Sequence, residues 1–423
     1  MLVTIAGAGL GYLSQVLLAR QLGPEGYGDY TYSTAWLNAA QLLGSLDMAG
    51  AALRFVGVYT ATGAWGLLRG FVRRGRALVA GTSVLVALGG VTAVLALGGR
   101  IGLGRRAALL VTCAAVVPSA LLLFESNLLI GLRRTLAATV PTAVVRPLVL
   151  LTALAVALGV GRTLSPAWVL GANGAALCAA AALSVWWTER VRPNASRHPA
   201  PETRTGEWVR MSLAQLSGSV LQMVLTQQSD VIIVGSLIGS GAAGLYSVAN
   251  QLASLVLFGV SLVNHFAAPR LAAYVDDPRS SGLGAEVHRI SLLNWALALP
   301  LAAVFAAAGP WILRTFGPGY VAAYPALCVM LVSQVVSATW GGLAGTMLGM
   351  IGYHHAAAVL IGVAAAVNLA LTAVLTPRYG IVGAAWATTI AITVRALAMQ
   401  VVVLRSTGLW LLPGRTRVSS PDA

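Results

Sequence analysis

Five ionisable side chains sit inside long apolar runs of this chain: Asp47, Glu125, Arg146, Asp230 and Arg395. Two more, Arg54 and Arg270, stand where such runs end. A charge in apolar surroundings is costly, so residues of this kind usually face a protein interior or a water-filled path. Arg146 lies about ten residues into its run, roughly 15 Å deep at the helical rise, and Arg395 is placed similarly. A guanidinium at that depth needs a carboxylate, a carbonyl or an anionic ligand. Pyrophosphate suits it, because the planar fork binds phosphate oxygens in pairs. An internal ion pair, such as Arg146 with Glu125, would serve as well. Asp230 follows Gln227, Gln228 and Ser229. It has the chemistry to carry a coupling proton or help hold Na⁺, and equally to cap a broken helix or pair with an arginine. Asp47 and Arg54 are seven apart and so share one helix face, as a structural pair or as a gate.

Other chemistries find no support. Cys113, Cys178 and Cys328 are far apart in sequence, with no CxxC or Cys/His metal spacing. No glycine-rich loop of Walker type and no nucleophile–base constellation is visible. The reading is therefore of a chain with no catalytic residues, no metal site and no cofactor.

The elements that must position these charges are transmembrane helices. The chain has 423 residues, 58% hydrophobic and 9% charged, where soluble domains carry about 25% charged residues. Apolar runs of about 20 residues are long enough to cross a hydrocarbon core of roughly 30 Å, and the short alternating segments of a transmembrane barrel are missing. The expected fold is an all-α integral membrane protein. About twelve spans are expected, near 2–21, 31–51, 77–98, 107–131, 136–159, 167–187, 209–237, 243–266, 290–309, 320–346, 355–376 and 381–404. No basic segment precedes residues 2–19 and no small-residue cleavage pattern stands before Arg20, so this run is read as the first span and not as a leader. It begins almost at Met1, which leaves open a natural start upstream.

The net charge of +15 comes from 27 basic and 12 acidic residues, and every basic residue is arginine. The arginines lie mostly in short loops, where topology and anionic headgroups explain them better than nucleic acid does. With the N-terminus in the cytoplasm, 18 arginines fall on inner loops and seven on outer ones. Both termini are then cytoplasmic, although Arg100, Arg105 and Arg106 dissent. Arg69, Arg73, Arg74 and Arg76 form a partly amphipathic stretch that would lie on the membrane surface or simply anchor the topology.

The chain also repeats itself. An offset of 216 residues brings Gly23, Gly28, Tyr30, Ser45 and Arg54 onto Gly239, Gly244, Tyr246, Ser261 and Arg270. The matched glycines read as turn formers, and the tyrosines as members of an interfacial aromatic belt. The polar segment 188–208 divides six spans from six, so both halves start on the same side, as in parallel-repeat transporters. The expected organisation is a first lobe at 1–187, a cytoplasmic linker at 188–208, a second lobe at 209–404 and a tail at 405–423. Arg54 and Arg270, as repeat mates, are expected either to attract an anionic headgroup at a cytoplasmic mouth or to act as positive-inside anchors.

Residues 19–30, from Ala19-Arg20-Gln21-Leu22-Gly23-Pro24 to Gly28-Asp29-Tyr30, resemble the opening of polysaccharide repeat-unit flippases. These form a branch of the multidrug/oligosaccharidyl-lipid/polysaccharide exporter superfamily. The stretch around Asp230, Gly235, Gly244, Leu245 and Tyr246 resembles the family's seventh-to-eighth helix pattern, while Ser236 replaces Arg20 in the second copy. The resemblance implies two pseudo-symmetric six-helix lobes around a central cavity often rich in Arg or Lys. It implies alternating access that moves a polyprenyl-diphosphate-linked oligosaccharide across the bacterial cytoplasmic membrane. Arg146, Arg395, Arg54 and Arg270 would then meet the diphosphate, with Asp230, Glu125 and Asp47 in ion-coupling or structural roles. Its partners would be membrane lipids, the lipid-linked glycan, and polysaccharide polymerase and glycosyltransferases. Some relatives have fourteen spans, which makes a lipid II flippase a poorer fit to twelve. A cation-coupled drug antiporter of the same superfamily and a non-transporting scaffold of a synthesis complex are the rival readings.

Overall fold

A computed structural model describes residues 2–99, 102–193, 195, 200–225, 228–276 and 283–407. The described residues are helical, with no strand among them. Eight helices are long and apolar enough to cross a membrane, or ten when each of two bent pairs is taken as one span. The protein is thus a multi-pass membrane protein. Twelve spans are reached only by dividing two very long helices, α1 (Leu2–Ser45) and α14 (His354–Thr407), where each carries a non-helical glycine.

Those glycines are not interchangeable with other residues. Gly23 has φ 66° and ψ 177°, and Gly380 has φ 61° and ψ −144°. Such positive-φ, extended-ψ conformations belong essentially to glycine. Gly23 is followed by Pro24, which lacks the N–H that a continuing helix would use.

The chain divides into two compact units, Met1–Val220 and Leu221–Ala423. Unit 1 contains α1, α2 (Met48–Thr62), α3 (Trp65–Ala96), α4 (Leu103–Gly131), α5 (Thr135–Val140), α6 (Arg146–Gly159), α7 (Pro166–Val191) and most of α8 (Thr205–Leu225). A π-turn, Pro141–Val145, joins α5 to α6 as one candidate span. Helix α4 is the hub and packs on α1, α2, α3 and α7. Half of its apolar window is buried inside the protein, against 11% of α3's.

One end of unit 1 is closed by an aromatic cluster. Phe71 lies 5.7 Å from Phe55, 6.0 Å from Phe124 and, edge-on, 5.2 Å from Trp208. Trp208 is fully buried and its indole N–H donates to the Tyr59 hydroxyl at 2.9 Å. A tryptophan held this way anchors the start of α8 in unit 1. The basic stretch from Arg69 to Arg76 is not a separate surface helix: α2 runs on to Thr62, only residues 63 and 64 intervene, and the arginines open α3 itself.

Unit 2 contains the remainder of α8 with α9 (Gln228–Leu237), α10 (Ser240–Asp276), α11 (Leu283–Phe316), α12 (Tyr324–Val336), α13 (Gly342–Met350) and α14. A π-turn at Ser337–Gly341 joins α12 to α13. The repeat shows in the backbone, because Gly239, the mate of Gly23, also has positive φ (103°) and separates α9 from α10. The matched tyrosines do not form an aromatic belt. Tyr30 is 3% exposed and Tyr246 fully buried, because each turns its hydroxyl to polar side chains inside its own unit.

Replacing Gly23 by alanine is predicted to cost about 1–3 kcal/mol, the expense of that backbone region for a residue with Cβ. No atom lies within 4 Å of the added methyl, so the loss is conformational. Gly9→Ala, helical and equally uncrowded, is the neutral control. Equal thermal stability of the two variants in detergent would refute the assignment.

Candidate functional site

The candidate charges separate into committed and uncommitted ones. Glu125, fully buried on α4, accepts from Arg76 Nε at 2.5 Å and Nη2 at 3.0 Å. Arg76 Nη1 also donates to Glu189 on α7, whose other oxygen meets Arg192 at 3.0 Å. Two carboxylates and two guanidiniums thereby tie α3, α4 and α7 together. The expected pairing of Glu125 with Arg146 is not formed, because Arg76 holds both Glu125 oxygens.

Asp47 and Arg54 are not paired either. Asp47 lies outside the α2 helix, at its N-cap position, with φ 54°, so the seven-residue spacing does not place the two on one face. Its Oδ2 accepts from Ser219 on α8 at 2.6 Å, while Arg54 is exposed and makes no ion pair among the described residues. The side chain of Arg270 lies outside what is described; its backbone belongs to α10. In the dissenting outer cluster, Arg105 is compensated by Asp29 at 3.1 Å and stacks 4.4 Å over the Tyr32 ring. Arg100 lies outside the described residues.

Arg146 stands in the middle of the 25-residue span Thr135–Gly159, immediately after the π-turn. Single π-turns inside helices often mark functional sites. The turn is seated against α1 through Gly7, where a Cβ would come within 2.5 Å of Ala143. Arg146 Nε donates to Asn173 Oδ1 on α7 at 3.2 Å. No carboxylate pairs with it among the described residues.

Arg395 in unit 2 packs beside the second π-turn: its Nη2 lies 3.7 Å from where a Gly341 Cβ would stand. Its Nε is buried without a hydrogen-bond partner, and no described carboxylate pairs with it. Buried donors of this kind are rare in folded proteins.

Asp230, in the first turn of α9, is as enclosed as Glu125, at 0% exposure. Tyr246 donates to its Oδ2 at 2.8 Å and Thr388 at 2.5 Å; Asn368 donates to Oδ1 at 3.0 Å and Thr372 at 3.4 Å. These groups come from α10 and from both halves of α14. All are neutral, so the alternative of an arginine partner for Asp230 does not hold among the described residues. The carboxylate is ringed by three hydroxyls and one amide N–H, and the carboxylate and hydroxyl oxygens are hard donors of the kind that suit a proton or a small hard cation. In unit 1 the matched position is Ser14, whose hydroxyl returns to its own helix at Leu10. The polar cluster of unit 1 is therefore built on a guanidinium and that of unit 2 on a carboxylate. Asn173, Asn368, Thr372 and Thr388 were not picked out from the sequence; the signal available was an amide or hydroxyl within an apolar run, which is common.

A helical membrane protein with charges held deep in its spans has the build of a transporter, and the comparisons agree on the fold. A multidrug resistance MATE family transporter of the MOP superfamily, in an inward-facing conformation, superposes with TM-score 0.76 at 12% identity over 95% of this chain and 96% of that one. The lipid II flippase MurJ in an inward closed conformation gives 0.72 at 14% identity over 95% and 87%. The family described as "Polysaccharide biosynthesis protein" matches residues 1–275, and the chain belongs to that family. No curated protein matches.

Glu125→Gln is expected to destabilise the protein by about 3 kcal/mol, since removing one partner of a buried pair strands the other charge. The figure is at the low end because Arg76 keeps Glu189 and is 22% exposed. A denaturation midpoint unchanged from the parent would show that the network holds nothing together.

Proposed function

We propose that the protein is a flippase that carries a polyprenyl-diphosphate-linked oligosaccharide across the bacterial cytoplasmic membrane by alternating access, for cell-surface polysaccharide assembly. The observation that carries this reading is the pair of guanidiniums inside spans, Arg146 and Arg395, that no described carboxylate neutralises. A buried cation without an internal counter-charge is costly, and a diphosphate passing through supplies that counter-charge with two anionic groups. Membership of a polysaccharide biosynthesis family and the fold shared with a lipid II flippase support the choice of substrate. On the loop-arginine distribution both termini are cytoplasmic, and Arg54, exposed and without an ion pair among the described residues, is a first contact for the headgroup. Arg270 is assigned the same role by the repeat alone.

Asp230 is the proposed coupling site. Its neutral, oxygen-rich surroundings accept a proton or Na⁺, and loading it neutralises the carboxylate that joins α9 to both halves of α14. The same carboxylate favours the rival reading, a cation-coupled drug antiporter, since cationic substrates need an acidic site.

Two variants separate these readings in proteoliposomes. Arg146→Ala is expected to lower flux of a polyprenyl-diphosphate glycan at least about tenfold, the loss of one charge-assisted contact, with normal membrane insertion. Undiminished flux would remove Arg146 from the substrate path, and transport of organic cations in its place would establish the antiporter. Asp230→Asn is expected to leave slow downhill flux that no longer responds to a Na⁺ or proton gradient. A gradient response equal to the parent's would rule out coupling through Asp230.

A further inference from the structure

Arg73 and Arg74 belong to the basic α3 opening, to which the translocation reading assigns no role. Helix α3 has 32 residues, about 48 Å at the helical rise, against a hydrocarbon core of roughly 30 Å. Its arginine-bearing first turns therefore reach the headgroup layer or water. Arg76 on this segment is neutralised by Glu125 and Glu189. Arg73 and Arg74 are exposed and have no ion pair among the described residues.

Both line a cavity of about 440 Å³ together with Gly70 and Ala77 of α3 and Pro201 and Thr203 of the segment before α8. A water occupies about 30 Å³, so the space takes a phosphoryl group with part of the molecule that bears it. The second wall is held in place. The Glu202 N–H donates to the Gly66 carbonyl at 3.0 Å, and a Cβ on Gly70 would fall 1.7 Å from the Glu202 carbonyl oxygen. Gly66 and Gly70, one helical turn apart, make the groove in which residues 200–202 rest. Arg73 and Arg74 follow Gly70 by three and four residues, which places them one turn along the same face, beside the Thr203 hydroxyl. Buried Trp208, just beyond, pins the end of the segment to unit 1.

We propose that this seam between α3 and residues 201–203 is a binding site for a phosphoryl group, carried by an anionic phospholipid headgroup or by a soluble phosphate. Two guanidinium forks supply donors alone and the Thr203 hydroxyl can add one more, which matches a phosphate's acceptor oxygens. The site lies apart from Arg146 and Arg395 and stands whether or not the chain is a flippase. Because one wall is the segment leading to α8 and the other is α3, an occupant would fasten the two together.

The test uses the full purified chain with two probes: inorganic pyrophosphate by calorimetry, and nanodiscs of phosphatidylglycerol against phosphatidylcholine, with retained lipid read by native mass spectrometry. Arg73→Gln with Arg74→Gln should weaken binding at least about tenfold. Gly70→Ala, which keeps both charges but displaces the wall, should weaken it several-fold. Arg133→Gln with Arg134→Gln, an equal loss of charge at a different cavity, should change it less than about twofold. Pyrophosphate binding alone that the Arg73→Gln/Arg74→Gln variant weakens identifies a soluble ligand, and phosphatidylglycerol retention alone that it weakens a lipid one. The proposal is overturned if neither probe binds, if the Arg133/Arg134 variant loses binding equally, or if a folded Gly70→Ala protein binds as the parent does.

Discussion

Hydrocarbon cannot solvate a charge, so every ionised group in a span of this protein must find its counterpart inside the chain or in something that visits it. Around that constraint the helices are arranged. Glu125 is tolerable on α4 because Arg76 rises from α3 to meet it with two hydrogen bonds, and the charge that Glu189 on α7 adds is offset by Arg192. The hub helix of unit 1 is thus locked to two neighbours by charge at one end, while the aromatic cluster of Phe71, Phe124 and Trp208 packs the same end with apolar surface. A buried ion pair is a weak source of net stability, since desolvation offsets most of its attraction. Its use here is geometric: it fixes which faces of α3, α4 and α7 meet.

The two units keep a common backbone device and part in their chemistry. Gly23 and Gly239 both break the helical course with positive φ, and a buried tyrosine follows each seven residues later. In unit 2 that tyrosine, Tyr246, reaches Asp230 and its ring of donors. Each half carries an arginine that no described carboxylate pairs with, and the second adds a carboxylate at 230 where the first has serine at 14.

Much of the fold was legible before any coordinates, for a physical reason. Span-length apolar runs admit only helices in a bilayer, and Gly23-Pro24 and Gly380 mark where those helices must break. Residues 63 and 64 show the limit: two residues suffice to turn α2 into α3, so a basic stretch that reads as a loop is helix. Pairing was less legible than placement. Spacing alone linked Asp47 to Arg54, but the left-handed backbone at Asp47 takes it off the helix face and sends it to Ser219 instead. Glu125 and Arg76 are 49 residues apart on different helices, and no local pattern reports such contacts. The belt assignment of Tyr30 and Tyr246 erred because a tyrosine at a helix start suits an interface and a buried polar cluster equally well.

What distinguishes Arg146 and Arg395 from Arg76 is also the company they keep. All three lie on span-forming helices, yet among the described residues Arg76 is met by two carboxylates while Arg146 has an amide oxygen and Arg395 a buried Nε with no acceptor. Both uncommitted arginines also sit at π-turns, where the helical ladder is locally widened and backbone carbonyls are displaced from their usual partners. A π-turn weakens a span, and an unmatched charge weakens it further. Two such combinations in one chain, one in each unit, are hard to account for as scaffolding. They are readily accounted for if an anion that completes the hydrogen bonding arrives and departs.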